Sequence, residues 1–135
     1  MEEVKLRPLA LARYAKEHLE AYTALKEAKK GHLELCNIKY FLLCRSLELS
    51  LKSELLRRGL ATAGELKTKF RHDLVTLRDT AINIPTVTFN SEENAIIDAL
   101  NPYYKDKEFE YPVVGFKTFP VLDDVEQLCS RLIWF

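Results

Sequence analysis

The segment from Glu34 to Arg58 constrains the fold most, because it is the longest stretch with helical periodicity in the chain. On a wheel of about 3.6 residues per turn, apolar and polar side chains separate into two arcs. The apolar arc holds Ile38, Phe41, Leu42, Cys44, Leu49, Leu51, Leu55 and Leu56, and the polar side holds Lys39, Ser46, Ser50, Ser53, Arg57 and Arg58. The pattern predicts an amphipathic helix that covers a core and ends at Gly59.

Three charged residues, Arg45, Glu48 and Lys52, fall near the centre of the apolar arc. Their three-and-four spacing makes them neighbours on one strip of the helix. Charges on an apolar face are costly unless they are paired or hydrogen-bonded. Two interpretations follow. Long side chains can reach outward to solvent and form an ordinary surface pair, or Glu48 and Lys52 lie buried in a polar network that His72 and Asp73 complete.

The remaining chain predicts further helices from Pro8 to Lys30, from Gly64 to Ile82, from Asn90 to Asn101, and from Pro120 onward. The first is supported by proline in a first helical turn, and the one at Asn90 by a capping side chain followed by acidic residues. Ile84–Phe89 breaks the helical pattern and is predicted to be an extended connector. The expectation is an all-α fold of four to five helices in a single domain spanning residues 1–135.

An irregular segment from Tyr103 to Pro120 is rich in aromatic residues and interleaves them with lysines. Such a loop can stack a nucleobase and hold a phosphate. It can equally be a lid that its aromatic side chains pin onto the helices. Tyr104 is the aromatic residue of this segment that we place with the charged strip.

Composition limits the classes of function. Lys and Arg number 20, as do Asp and Glu, so the formal net charge is zero. Broad, sequence-blind nucleic-acid binding needs a basic surface and is disfavoured, whereas a local basic pocket is not. The three cysteines match no zinc signature. We expect reduced thiols in the cytoplasm, no metal, no cofactor and no membrane span.

Four short segments resemble the HEPN superfamily in their order and spacing. Ser46–Lys52 matches the family's S-x-E-x-x-x-K helix, and His72–Leu77 matches its H-D-L-x-x-L helix. Ala99–Tyr104 and Glu110–Pro112 resemble its L-N-x-Y and Y-P segment. The likeness covers about residues 8–133. It implies an up-and-down helical bundle that is often dimeric.

The resemblance implies two kinds of activity. Many HEPN proteins are metal-independent ribonucleases of toxin–antitoxin and defence systems, with an Arg followed four to six residues later by His near the last helices. Others lack that motif and bind nucleotides or nucleic acid, or serve as accessory subunits. This chain has no histidine after His72, and its only match, Arg13 to His18, lies on the first predicted helix.

We therefore expect a non-catalytic HEPN-like binding module for a nucleotide or a nucleic-acid segment, acting as a homodimer or with a partner protein. The expected site or buried polar cluster contains Arg45, Glu48, Lys52, His72, Asp73 and Tyr104. The alternatives are a ribonuclease toxin with an atypical residue set and a purely structural helical subunit. Trp134 and Phe135 are expected either to pack on the body or to form a self-association surface.

Overall fold

A computed structural model describes residues 6–28, 36–107 and 119–134. Within these ranges the chain is helical or irregular and contains no strand, so the predicted all-α class is confirmed. The described residues form six α-helices, and a π-helix, Leu66–Phe70, follows the third of them. The α-helices are α1 Pro8–Glu27, α2 Cys36–Arg57, α3 Ala63–Glu65, α4 Leu74–Ala81, α5 Ser91–Lys105 and α6 Leu122–Leu132.

Helix α2 is the central element, and α1, α4, α5 and α6 all contact it. The predicted polar side of this helix is wrong at Ser46, Ser50 and Ser53, which are buried, whereas Arg57 and Arg58 are exposed as predicted. The predicted apolar arc is also wrong at Ile38, which is half exposed. Small serine side chains allow neighbouring helices to approach closely, and the Ser53 hydroxyl donates to the Pro8 carbonyl of α1 at 2.8 Å. A central helix is therefore buried on several faces, not on one.

The end of α2 agrees with the prediction. Gly59 has a φ of 73°, a conformation that glycine adopts without a steric penalty. The amide of Leu60 donates to the Leu55 carbonyl at 2.9 Å, and the amide of Gly59 donates to the Leu56 carbonyl at 3.3 Å. These two bonds form a Schellman motif, which satisfies the last carbonyls of the helix.

The single helix predicted from Gly64 to Ile82 is wrong. The chain forms α3 and the π-helix, turns at Arg71 and His72, and begins again as α4. The Asp73 side chain accepts from the Thr76 amide at 3.2 Å and so caps α4. Aspartate favours the N-cap position of a helix over its interior, because its carboxylate accepts from free backbone amides there. The break also lets Phe70 and Leu74 enter two different core clusters.

Helix α5 continues past the predicted end at Asn101 and contains Pro102. Proline disfavours helix because it lacks an amide donor and restricts the preceding residue. Here long-range hydrogen bonds hold the last turn. Asn101 accepts from the Leu74 amide at 2.7 Å, and the Tyr104 hydroxyl donates to Glu48 at 2.6 Å. Tertiary contacts therefore override the local preference.

The connector from Ile84 to Phe89 is not extended throughout. The Val87 amide donates to the Ile84 carbonyl at 3.0 Å and closes a turn. Residues 82–86 form turns or bends, and residues 87–90 do not. Most of the predicted aromatic loop, residues 108–118, lies outside the described residues, as do the predicted boundaries at Lys30 and Glu34. The Phe119 ring at its end lies 4.8 Å from the Tyr40 ring, which supports a pinned segment.

Trp134 packs on the body of the protein. Its indole N–H donates to the Ser53 hydroxyl at 2.9 Å, and the Arg57 guanidinium lies 4.5 Å from the ring centroid. Because Trp134 makes these contacts within its own chain, it gives no support to a dimer interface. Phe135 lies outside the described residues. None of the described helices combines the length and apolar character that crossing a bilayer requires.

The buried hydroxyl of Ser50 yields a prediction about stability. It has no hydrogen-bond partner among the described residues. An unsatisfied buried polar group costs about 1–3 kcal/mol, and alanine has a higher helix propensity than serine. We expect Ser50→Ala to raise the free energy of unfolding in urea by about 1 kcal/mol. Ser50→Leu, which overpacks the same position, should lower it by about 1–3 kcal/mol. A loss of stability in Ser50→Ala would contradict the unpartnered hydroxyl.

Candidate functional site

The carboxylate of Glu48 is the centre of the charged cluster and is only 1% exposed. One carboxylate oxygen, Oε1, accepts from the Tyr104 hydroxyl at 2.6 Å and from His72 Nδ1 at 2.7 Å. The other, Oε2, accepts from Lys52 Nζ at 2.9 Å and from Arg45 Nη1 at 3.1 Å. Four donors therefore surround one buried anion and satisfy its hydrogen-bonding capacity in place of water.

Three separate elements bring these groups together. Arg45, Glu48 and Lys52 lie on α2 at helical spacing, so the helix alone aligns them. Tyr104 comes from the last turn of α5, which extends past Pro102. His72 comes from the turn that separates the π-helix from α4. The broken third helix is therefore the feature that carries an imidazole to Glu48.

The pKa of the Glu48 carboxyl is lowered by its neighbours. Burial alone would raise this pKa, but the charge of Lys52, the hydrogen bonds from Tyr104 and His72 and the charge of Arg45 outweigh it. Burial, reinforced by the charge of Glu48, raises the pKa of the Tyr104 hydroxyl. The carboxylate is therefore ionised at neutral pH. Because it can only accept, His72 Nδ1 must carry the proton in this contact.

A second polar group surrounds Asp73 beside the first. Its Oδ1 accepts from the Asn101 side-chain amide at 3.1 Å, and its Oδ2 lies 3.6 Å from Lys105 Nζ. Burial would raise the pKa of Asp73, but its hydrogen bonds from Thr76 and Asn101 and the charge of Lys105 lower it. The Asp73 carboxylate thus links the start of α4 to the end of α5.

A cavity of about 650 Å³ opens beside the two polar groups. Its volume is within the range of small-molecule sites, roughly 300–1,000 Å³. The acidic side chains lining it are Glu48, Asp73 and Asp106, and His72 lines it as well. The basic side chains lining it are Arg45, Lys52, Lys67, Lys69, Arg71, Lys105 and Lys107. Among the lining residues that the structure describes, seven cations against three anions leave an excess of four positive charges, whereas the whole chain has a formal net charge of zero.

Five of the six residues singled out in the sequence line this cavity: Arg45, Glu48, Lys52, His72 and Asp73. Tyr104 belongs to the Glu48 network but is 4% exposed, so its ring is not available for stacking on a ligand. Sequence reasoning missed Asn101 and the cations of the π-helix, whereas Lys105 and Lys107 belong to the aromatic segment whose lysines were predicted to hold a phosphate. The alternation of lysines at 67 and 69 with Arg71 was the available signal.

Two other sequence features lie outside the cavity lining. His18 contacts the carbonyl of Tyr14 at 2.8 Å through Nδ1, on α1. Cys44 and Cys129 are fully buried, and burial raises the pKa of both thiols. Neither is therefore a reactive thiolate. The side chain of Cys36 is outside the described residues.

Comparison with known proteins found no matching family model, no similar curated protein and no similar solved structure. The HEPN resemblance therefore stays a hypothesis carried by the four sequence segments that suggested it. The interpretation of the site depends on its own geometry and charge.

Removing the central anion should destabilise the fold strongly. Glu48→Ala leaves Lys52 and Arg45 without their buried partner, and we expect a loss of about 3–5 kcal/mol in urea unfolding. Glu54→Ala is the matched control on the same helix, because Glu54 is 13% exposed and pairs with Arg57 and Arg58, whose side chains are 38% and 45% exposed. The control should lose about 0.5 kcal/mol. Adding Lys52→Met to Glu48→Ala should recover part of the loss. Equal small losses in both single variants would show that the Glu48 pairs contribute no more than surface pairs.

The lowered pKa of Glu48 also predicts a pH dependence. An unfolded glutamate titrates near a pKa of about 4.3, above the value in the folded protein. Ionised Glu48 therefore contributes stability above that pH, and the contribution is lost as the pH falls through the folded-state pKa. The stability advantage of wild type over Glu48→Gln, measured by urea unfolding, should shrink as the pH falls from about 5 to about 3. An advantage that grows on acidification would contradict the lowered pKa.

Proposed function

We propose that this protein is a HEPN-like, non-catalytic module that binds an anionic ligand of the nucleotide or nucleic-acid class in the basic cavity. The observation that carries the proposal is the excess of four positive charges among the described residues that line one cavity, in a chain whose formal net charge is zero. Clustered lysine and arginine side chains are well suited to bind phosphate groups. A role as an accessory subunit of a toxin–antitoxin or defence system belongs to the same proposal.

The Glu48 network supports this role by fixing the floor of the cavity. Arg45 and Lys52 are held by the buried carboxylate, so their positions are set before a ligand arrives. A preorganised site spends less conformational entropy on binding than a mobile one. The Arg45 side chain is 28% exposed, which leaves part of its guanidinium accessible from the cavity.

A ribonuclease is the second candidate, and His72 is the residue that favours it. Its ring donates from Nδ1 to Glu48 and is 37% exposed at the cavity. A carboxylate that orients a histidine in this way leaves Nε2 available for proton transfer. We nevertheless expect the purified protein not to cleave RNA, because no histidine follows position 72. Cleavage that disappears in His72→Ala, without loss of folding, would make the ribonuclease the better proposal.

Ligand binding can be tested by titrating the protein with ATP and with a short RNA at low and moderate salt. We expect binding that weakens as salt increases, because phosphate contacts are electrostatic. Arg45→Ala should weaken binding about tenfold. Because Glu48 keeps its other three donors, the melting temperature should fall only slightly. Arg58→Ala is the matched control, since it removes an exposed cation that does not line the cavity.

The same titration also decides between the proposed function and the third candidate, a purely structural helical subunit. If no nucleotide and no RNA binds more tightly than about millimolar, the chain has no ligand of this class. A homodimer or a partner protein would then be the remaining role. Light scattering at high protein concentration measures the expected homodimer independently of any ligand.

A further inference from the structure

Arg71 occupies a backbone position that normally requires glycine. Its φ is 45° and its ψ is −119°, close to the first central position of a type II′ turn. The Asp73 amide donates to the Phe70 carbonyl at 2.9 Å, which closes that turn around Arg71 and His72. A residue with a Cβ atom pays a steric cost in this conformation. The fold therefore keeps an arginine where glycine would be less strained.

Lys107, two residues after the end of α5, also has a positive φ, of 61°. In the described parts of the chain, Arg71 and Lys107 are the non-glycine residues with positive φ. Both are cationic, both are exposed, and both line the same cavity. Backbone strain in folded proteins concentrates at ligand-binding sites, where the side chain is needed in spite of its cost. Two independent positions thus point to one surface.

The cations lining the cavity fall into two groups. Arg45 and Lys52 are committed to Glu48, and Lys105 lies 3.6 Å from Asp73. The second group forms no ion pair within the described residues and is exposed: Lys67, Lys69, Arg71 and Lys107. Lys67 and Lys69 lie on the π-helix immediately before Arg71. The uncompensated charge is therefore carried by the exposed cations of the lining, which they share with one exposed carboxylate, Asp106.

We infer that Arg71 and Lys107 bind the phosphate chain of a compact polyphosphate, such as a nucleoside triphosphate, across the mouth of this cavity. The inference rests on the proposed function and specifies its ligand. A chain of adjacent phosphates matches four neighbouring unpaired cations better than a single phosphate does. A guanidinium can also bind two phosphate oxygens at once. The Phe70 ring is 1% exposed and Tyr104 is buried, so neither offers a stacking surface for a base.

The test compares inorganic tripolyphosphate, ATP, AMP and a short single-stranded RNA by calorimetry, with a chelator present to exclude metal ions. We expect tripolyphosphate and ATP to bind with similar affinity, and both about tenfold or more tighter than AMP. Arg71→Gly and Lys107→Gly should each weaken tripolyphosphate binding about tenfold. Arg58→Ala, the control outside the cavity, should leave it unchanged.

The melting temperature of Arg71→Gly separates a binding role from a structural one. Glycine relieves the turn, so the variant should melt at the same temperature as wild type or higher while it binds tripolyphosphate more weakly. A marked fall in melting temperature would contradict the strained turn. Wild-type affinity for tripolyphosphate in both glycine variants would overturn the inference.

The ligand series distinguishes failure of this inference from failure of the proposed function. If AMP binds as tightly as ATP, or RNA binds and tripolyphosphate does not, the site recognises a base or a strand. The polyphosphate inference is then wrong and the proposed function stands. If none of the four ligands binds more tightly than about millimolar, both are wrong.

Discussion

The buried carboxylate of Glu48 is the interaction on which the rest of the site depends. Its neighbours Leu47 and Leu49 belong to the two different core clusters, so Glu48 lies on the helix that joins them. An unpaired carboxylate there would cost several kcal/mol. Four donors from three elements satisfy it. The carboxylate thereby fixes how α2, α5 and the turn before α4 meet.

The same requirement explains the irregular geometry around the cavity. A continuous third helix would have no break at His72, and a fourth helix ending at Asn101 would leave Tyr104 in a loop. The π-helix and the strained turn carry His72 to Glu48, while the last turn of α5 carries Tyr104. π-helical turns and positive-φ residues occur often at functional sites. Here both lie along one wall of a basic cavity.

The sequence predicts the parts of the site that one helix determines. Arg45, Glu48 and Lys52 are neighbours through helical spacing alone, and Gly59 and the Asn90 cap mark helix ends that the structure shows. The parts that depend on distant contacts were not predictable. Asn101 joins Asp73 across 28 residues, and Ser50 is buried because α2 is central. The helical periodicity around Arg71 predicts a continuous helix, but the chain breaks there. The break is explained by the core, because Phe70 and Leu74 pack into two different clusters.

The protonation of His72 tests the central claim most directly, because the claim requires a charged Glu48 that accepts from Nδ1. Nitrogen NMR of the histidine ring at neutral pH distinguishes the two ring nitrogens and shows which one carries a proton. The account predicts that Nδ1 is protonated, whatever the state of Nε2, and that Glu48→Gln changes the signal. A neutral ring with its proton on Nε2 and a bare Nδ1 would contradict the ionised carboxylate at the centre of the network.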